Sequence, residues 1–464
     1  MIWGTCDRRY PVSAVHLSLR SLQNDEWFRM SMNDSTTTTP ANPVFSPTVE
    51  QDTIVLSADQ LNLPATEFRA SETLPKNFTR EMLSQAAGAT ALSVSPTNIR
   101  VLHVINGEHF SGAERVQQLL GKQLGSFGVQ AAFACVKPNR FPELCGLEAQ
   151  QILECPMQGR FDTRVVSRLA KIVKEQDYQL LHAHTPRTAM VTSLVSLRTG
   201  TPWVYHVHSP TSRDSTRGIV NRINDWIERY SVRSCNKLLT VSKSLRREML
   251  RMGVPREKLA VVPNGVPAIE PIVAGERLEQ NTWNLGMIAL MRPRKGVEVA
   301  LQAMKTLRDQ GANVRLELIG GFETEPYQIQ TLEMLQTLGL HDCVHWTGFT
   351  SDIATAIRRL DALVLPSLFG EGMPMVVLEA LAAAVPVVAT RVEGTPEVVR
   401  DGVEGVLAEP RDAQSLAEKI SYLISSRERW QEMSKAALQR HRSNYTDAIM
   451  AQRVARAYRS ILKT

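Results

Sequence analysis

From Asn98 onward the chain alternates short apolar runs with amphipathic stretches, and this alternation constrains its fold more than any other feature. Apolar runs of about four to eight residues bounded by turn residues read as strands buried on both faces. Strands of that kind separated by helical stretches assemble into a parallel sheet covered by helices on both sides. Arg100 to Ile105, Val129 to Val136, Leu180 to His184, Trp203 to His208, Lys237 to Val241 and Leu259 to Pro263 form a first set, with a helix predicted over Ser111 to Leu124. Leu285 to Leu290, Arg315 to Gly320, Cys343 to Thr347, Ala362 to Leu365, Val385 to Ala389 and Gly405 to Leu407 form a second set. A polar, proline-bearing linker, Pro267 to Thr282, separates the two. The pattern therefore predicts an α/β chain of two doubly wound domains, 98–270 and 283–446, whose facing sheets leave a cleft at the C-terminal ends of their strands. Asp447 to Leu462 reads as a further amphipathic helix, within a C-terminal segment 447–464.

Residues 1–97 show no sustained period and contain Asn33-Asp-Ser-Thr-Thr-Thr-Thr-Pro-Ala-Asn-Pro43, so a disordered extension is expected there. Met30 and Met32 precede that tract and read as candidate starts beside Met1, a choice the sequence leaves open. No apolar h-region follows the N-terminus, and no uncharged apolar run reaches membrane-spanning length, so a soluble or peripheral protein is expected. The 464 residues, 43% hydrophobic and 22% charged, suit two ordinary globular domains, and a net charge of +6 is no nucleic-acid signature. Cys6, Cys135, Cys145, Cys155, Cys235 and Cys343 lack zinc-ligand spacing and read as reduced thiols of a cytoplasmic chain.

One segment carries a chemical site. Ala362-Leu-Val-Leu-Pro-Ser367 reads as a strand, Gly370 and Gly372 free the following loop, and Met375 to Ala384 reads as a helix. Strand, glycine loop and helix N-terminus together aim backbone N–H groups and a positive dipole end at one point, which suits a phosphate. Glu371 stands at the mouth of that anion site. Glu379 lies about two turns further along, so the pair reaches opposite ends of a ligand roughly 10 Å long. Val376, Val377, Leu378 and Leu381 surround Glu379, and a carboxylate there requires a partner. His182 with His184 and His206 with His208 lie at strand ends, each pair on one face. No carboxylate or cysteine accompanies them, so packing is preferred to metal binding and no metal is assigned.

The run Phe369 to Thr390 resembles the Glu-x7-Glu signature of the retaining family 4 glycosyltransferases, which have the GT-B fold of two Rossmann-like domains. The likeness extends from about Asn98 to Thr464. Val101 to Glu114 resembles the first strand and glycine loop of the acceptor-binding domain, and Val241-Ser242, Val262-Pro-Asn-Gly-Val266, Arg294-Lys-Gly296 and Gly394-Thr-Pro-Glu397 follow in the family's order.

The resemblance implies a nucleotide-sugar site in the second domain and a last helix that crosses back to the first. Glu379 matches the glutamate that takes the ribose hydroxyls and Glu371 the residue near the donor sugar. Gly372, Met373 and Met375 match the amides facing the sugar or diphosphate, and Gly112 opens the facing helix. Lys295 matches the lysine that neutralises the diphosphate. The usual upstream arginine is absent, because Ala289 and Leu290 occupy its places, and Arg292 or Arg294 is expected to substitute. His208 matches the histidine near the reacting centre, with His184 and His206 as packing or supporting residues. No cofactor is implied.

These readings together predict metal-independent, retaining transfer of a hexose from a nucleoside diphosphate donor to a glycan or lipid-linked acceptor, in cell-surface polysaccharide or glycolipid synthesis. A nucleotide-sugar epimerase and a catalytically silent nucleotide-sugar-binding module are the alternatives. The basic amphipathic stretch Arg217 to Arg233 reads first as core packing with a solvated basic face, and peripheral contact at an anionic inner membrane face is the second reading.

Overall fold

The computed structural model describes residues 98–159, 162–209, 233–271 and 282–463. The extension 1–97 and nearly all of the stretch 217–233 lie outside the described residues.

Seven strands form a first sheet: β1 (Ile99–Ile105), β2 (Val129–Cys135), β3 (Ile152–Glu154), β4 (Leu180–Ala183), β5 (Trp203–Val207), β6 (Lys237–Thr240) and β7 (Leu259–Val261). Their order is β3-β2-β1-β4-β5-β6-β7, every pair parallel. Six more form a second: β8 (Trp283–Ile288), β9 (Val314–Ile319), β10 (Val344–Gly348), β11 (Ala362–Leu365), β12 (Val387–Thr390) and β13 (Gly405–Ala408), in the order β10-β9-β8-β11-β12-β13, also parallel throughout. Chain order reverses direction at β1/β4 and at β8/β11, the switch points beside which open sheets bind ligands. The two doubly wound sheets of the GT-B arrangement are present as the apolar alternation predicts. Strand β3 was not anticipated, because three residues that are at most half-buried carry no readable period. Strand β12 starts at Val387 rather than Val385, after a turn in which Ala384 takes φ 58°.

Six helices bear on the site and are numbered here in chain order: α1 (Gly112–Gln123), α2 (Lys243–Arg251), α3 (Val297–Asp309), α4 (Met375–Ala382), α5 (Arg427–Asn444) and α6 (Asp447–Leu462). Helix α6 starts where Thr446 bridges to Val266, and its Thr446 side chain accepts the Ile449 N–H at 3.1 Å. It then runs along the first sheet's helical layer. Gln123 Nε2 donates to Asp447 at 2.8 Å, and Arg459 donates to the Phe127 carbonyl at 2.5 Å.

One hydrophobic cluster fills the first sheet's layers and continues through Leu245 into Met373, Met375, Val377 and Leu378, so the loop before α4 packs on the first domain. A second cluster lies between α3, β8, β9 and the helices behind them. Cys135, Cys145, Cys155 and Cys235 are buried free thiols, and Cys343 is a half-buried one. Among the described residues no helix is long and apolar enough to cross a membrane.

Candidate functional site

The loop between β11 and α4 is shaped by close backbone approaches. Gly296 ends the turn after Arg292 at φ +71°, and a Cβ there would sit 2.1 Å from the Pro366 carbonyl oxygen. Leu368 N–H donates to the Arg294 carbonyl at 2.8 Å, which ties the Arg292–Gly296 turn to this loop. That tie brings the basic residues to Glu371. Lys295 Nζ lies 2.5 Å from Glu371 Oε1, the Ser367 hydroxyl donates to the same oxygen at 2.6 Å, and Arg294 Nη1 stands 3.7 Å away. Arg294 also donates to the Gly370 carbonyl at 3.2 Å.

Glu371 is buried, and burial alone raises a carboxyl pKa; Lys295, Ser367 and Arg294 outweigh it and hold the group below its ordinary value. The carboxylate is therefore charged and fixed. Its backbone N–H donates to Glu393 at 2.5 Å. Arg292 goes elsewhere: it meets Glu323 at 3.4 Å. Of the two arginines expected near the missing upstream position, the structure brings Arg294 to Glu371.

Glu379, buried in α4, takes a partner from across the cleft, the Arg115 guanidinium on the first turn of α1. Burial raises its pKa, and Arg115 only partly opposes this. Gly112, at the start of the same helix, faces Met375: a Cβ on it would lie 3.6 Å from Met375 Cγ. Glu114, by contrast, is a local cap, accepting from Ser111 N–H at 3.2 Å and from the Ser111 hydroxyl at 2.7 Å.

The two domains are joined at this point by further polar contacts. A Cβ on Gly372 would stand 2.1 Å from the His208 carbonyl oxygen, so the end of β5 and the glycine loop touch backbone to backbone. Asn264 Nδ2 donates to the Met373 carbonyl at 3.2 Å. Glu397 caps α2 from the second domain, accepting the Lys243 and Ser244 N–H groups at 2.7 and 2.6 Å. A helix N-terminus leaves such donors unpaired and carries a positive dipole end, so a carboxylate is a favoured partner.

Residues 269–440 match the family model described as Glycosyl transferases group 1, and residues 110–268 match the one described as Glycosyltransferase Family 4. The chain belongs to the family 4 glycosyltransferases. It is 28% identical over 315 residues to a phosphatidyl-myo-inositol mannosyltransferase of Mycobacterium leprae, covering 65% of this chain and 79% of that one. It is 25% identical over 270 residues to the UDP-Gal:alpha-D-GlcNAc-diphosphoundecaprenol alpha-1,3-galactosyltransferase of Escherichia coli, covering 55% and 68%. A match to the putative colanic acid biosynthesis glycosyltransferase WcaL of Escherichia coli, at 27% identity, spans 45% of this chain and about half, 52%, of that protein. Among solved structures, Anabaena HepE in complex with UDP and glucose superposes with a TM-score of 0.69 at 20% identity, covering 78% of this chain and all, 100%, of that one. That likeness establishes the GT-B fold.

The sequence singled out Glu371, Glu379, Lys295, Arg294, Gly372, Met373, Met375, Gly112 and His208, and these lie around the junction of the two sheets; Arg292 is turned away toward Glu323. Arg115, Ser367, Glu393, His103 and Tyr458 were not anticipated. Arg115 directly follows the Ser-Gly-Ala-Glu turn, and Ser367 closes the β11 run, so both had a positional signal. His103 and Tyr458 had none, since only the fold sets His103 between the Tyr458 hydroxyl, at 3.2 Å, and His184, at 3.0 Å.

Proposed function

We propose that this glycosyltransferase moves a hexose from a nucleoside diphosphate sugar to a hydroxyl of a glycan or lipid-linked acceptor, with retention at the sugar carbon, in cell-surface polysaccharide or glycolipid synthesis. The observation that carries the reading is the Lys295 and Arg294 pair held on Glu371, in a loop that opens a helix and touches the His208 backbone. Two cations beside a helix N-terminus suit a departing diphosphate, and such fixed charges stabilise it without reorganisation. Glu379 suits the ribose hydroxyls, because an ionised carboxylate accepts both at once. The Mycobacterium and Escherichia coli relatives are named for lipid-linked acceptors, which favours that acceptor class here.

In the reaction the bond from the anomeric carbon to the β-phosphate oxygen breaks and a bond to the acceptor oxygen forms on the same face. The acceptor's proton passes to the departing phosphate oxygen. The protein's part is then to hold both partners and the developing charge.

The test is a panel of UDP-, GDP- and ADP-sugars, with and without membrane lipid extract, followed by nucleoside diphosphate release and by NMR of the product linkage. One donor turned over only with acceptor, giving a product of unchanged anomeric configuration, is expected. An inverted linkage removes the retaining assignment, and absence of turnover with every donor removes the enzyme reading in favour of a binding module.

A further inference from the structure

Five histidines meet beneath the cleft: His103 on β1, His182 and His184 at the end of β4, and His206 and His208 at the end of β5. The three strands are neighbours, and His103 is in register with His182. The rings stack, with centroids 4.2 Å apart for His182 and His184 and 4.4 Å apart for His206 and His208. Tyr458, fully buried on α6, closes the group from the far end of the chain.

Four hydrogen bonds join five of these six side chains in a single line. His208 Nε2 and His184 Nδ1 are 3.1 Å apart, and His184 Nε2 and His103 Nδ1 are 3.0 Å apart. His103 Nε2 lies 3.2 Å from the Tyr458 hydroxyl, and that hydroxyl lies 2.6 Å from His182 Nδ1. Burial keeps these imidazoles neutral: His103 falls to about 3 and His208 to about 4, and His182 and His184 fall well below the ordinary histidine value, neighbouring imidazoles adding to the burial.

A neutral imidazole has one N–H and one lone pair, and a phenol has one O–H. Each interior imidazole must therefore donate on one side and accept on the other, and Tyr458 does the same when its buried O–H is paired within the line, so all four bonds point the same way. The distances select the direction. O–H donors sit nearer their acceptors than N–H donors do, so the 2.6 Å contact is Tyr458 donating to His182 and the 3.2 Å contact is His103 Nε2–H donating to Tyr458. His184 then donates from Nε2 to His103, and His208 donates from Nε2 to His184. His208 Nδ1, buried and without a partner among the described residues, is left as a lone pair.

The geometry points to Tyr458 as a positioning residue for the reaction: through His103 and His184 it fixes the tautomer of His208, so that Nδ1 is left as a hydrogen-bond acceptor in the residue that the proposed function assigns to the donor sugar. The assignment of His208 to the sugar rests on the function proposed above; the tautomer chain does not. The crossing of α6 to the first domain thereby gains a chemical consequence, since the chain's final helix sets the polarity of a residue beside Gly372.

The test uses the full chain labelled with 15N-histidine, in which ring nitrogen shifts separate protonated from unprotonated positions, with His208→Gln assigning the His208 signals. Wild type is expected to show His208 as the Nε2–H tautomer. Tyr458→Phe leaves His103 Nε2–H without an acceptor, so the line reverses and His208 gains Nδ1–H. His182→Phe, which keeps Tyr458 but removes its acceptor, turns the phenol toward His103 and produces the same switch, giving a second variant if the first unfolds. Turnover is expected to fall about ten- to hundred-fold in either, with donor affinity within about twofold, the loss of one hydrogen bond in the transition state.

A wild-type Nδ1–H tautomer at His208, or variants that leave the tautomer and turnover unchanged, overturns the proposal. So does stoichiometric metal found by elemental analysis, since the ring nitrogens of His184, His206 and His208 lie within 4.8 Å of one another and a cation there would replace the chain. If no donor is turned over by wild type while the tautomers switch as stated, the function reading fails and the chain stands.

Discussion

The two sides of the cleft bury polar side chains by opposite means. On the second-domain side Glu371 keeps its charge, because Lys295, Ser367 and Arg294 converge on one oxygen from a turn tied to its own loop. On the first-domain side the histidines give up their charge and share neutral hydrogen bonds, closed by a phenol 355 residues away from His103. Charge is tolerated where a partner is held close by local backbone geometry. Neutrality is the cheaper solution where the neighbours that the hydrogen bonds join are other imidazoles and a phenol. The difference fits what each side is proposed to meet: a diphosphate needs fixed cations, and a sugar hydroxyl needs only an oriented acceptor.

Removing the charge from the charged side gives the largest expected effect. Lys295→Ala should lower turnover by about 10²–10³ and stability by about 3–5 kcal/mol, because it strips a buried carboxylate of its nearest cation. The double variant Lys295→Ala/Glu371→Ala should regain most of the stability and none of the activity. Urea unfolding and nucleoside diphosphate release measure the two separately. A double variant no more stable than the single one breaks the description of this side as a charge pair.

Acid should separate the two sides by pH. The folded-state pKa of Glu371 is lowered, so its contribution is fully present above the ordinary carboxyl value and is lost as pH falls from that value through the lower folded one. The histidine pKa values are also lowered in the fold, so their neutral state costs nothing above about pH 6.5. Below it the unfolded chain takes up protons that the folded chain refuses, and each histidine costs up to about 1.4 kcal/mol per pH unit. Stability should therefore fall steeply between pH 6.5 and 5 while the Glu371 side is still intact, as reckoned from these ordinary values. His206, whose burial and imidazole neighbours lower it and whose ring nitrogens have no partner among the described residues, offers the control. His206→Phe should reduce the pH slope of the urea midpoint by about one proton. An unchanged slope would mean that the cluster is not the acid-sensitive element.

The sequence disclosed the two sides unequally, for the same physical reason. Apolar runs such as Ala362–Leu365 and the amphipathic Asp447–Leu462 are local periodicities, so both sheets and the last helix could be read from them. Glu371, Lys295 and Glu379 stand in short motifs with family spacing, and a buried Glu379 called for a partner without naming Arg115. The histidine line has no local signature: two pairs were visible at strand ends, but His103 joins them only through the β1–β4 register and Tyr458 only through the return of α6. Strand β3 escaped because three residues hold no period.

Glu379 tests whether charge matters on the ribose side as it does at Glu371. Its carboxylate faces Arg115, and burial pushes its pKa up, so it is less firmly ionised than Glu371. Glu379→Gln keeps the shape but loses charge-assisted acceptance, worth about 1.5–3 kcal/mol. Donor KM should rise roughly ten-fold or more with kcat changed less, measured by initial rates over donor concentration. A fall in kcat alone would move Glu379 from nucleotide anchoring to the chemical step.

The smallest expected effect separates two neighbouring arginines. Arg292 and Arg294 are two residues apart and were equal candidates for the missing upstream cation, yet one meets Glu323 at 3.4 Å and the other stands 3.7 Å from Glu371. The Glu323 side chain is 46% exposed, so its ion pair with Arg292 is screened by water and contributes little. Arg294 is 14% exposed and also spans the Phe369 and Gly370 carbonyls, so its guanidinium both adds charge and holds the loop. Arg292→Ala should leave turnover and stability within about twofold and 0.5 kcal/mol, the range of ordinary surface substitutions. Arg294→Ala should lower turnover about ten-fold, and Arg294→Lys should recover only part of it, because an ammonium cannot reproduce the planar fork. Equal losses for Arg292→Ala and Arg294→Ala would show that Arg292 swings from Glu323 to the donor during turnover, and the fixed charge of the second-domain side would then be mobile in one of its members.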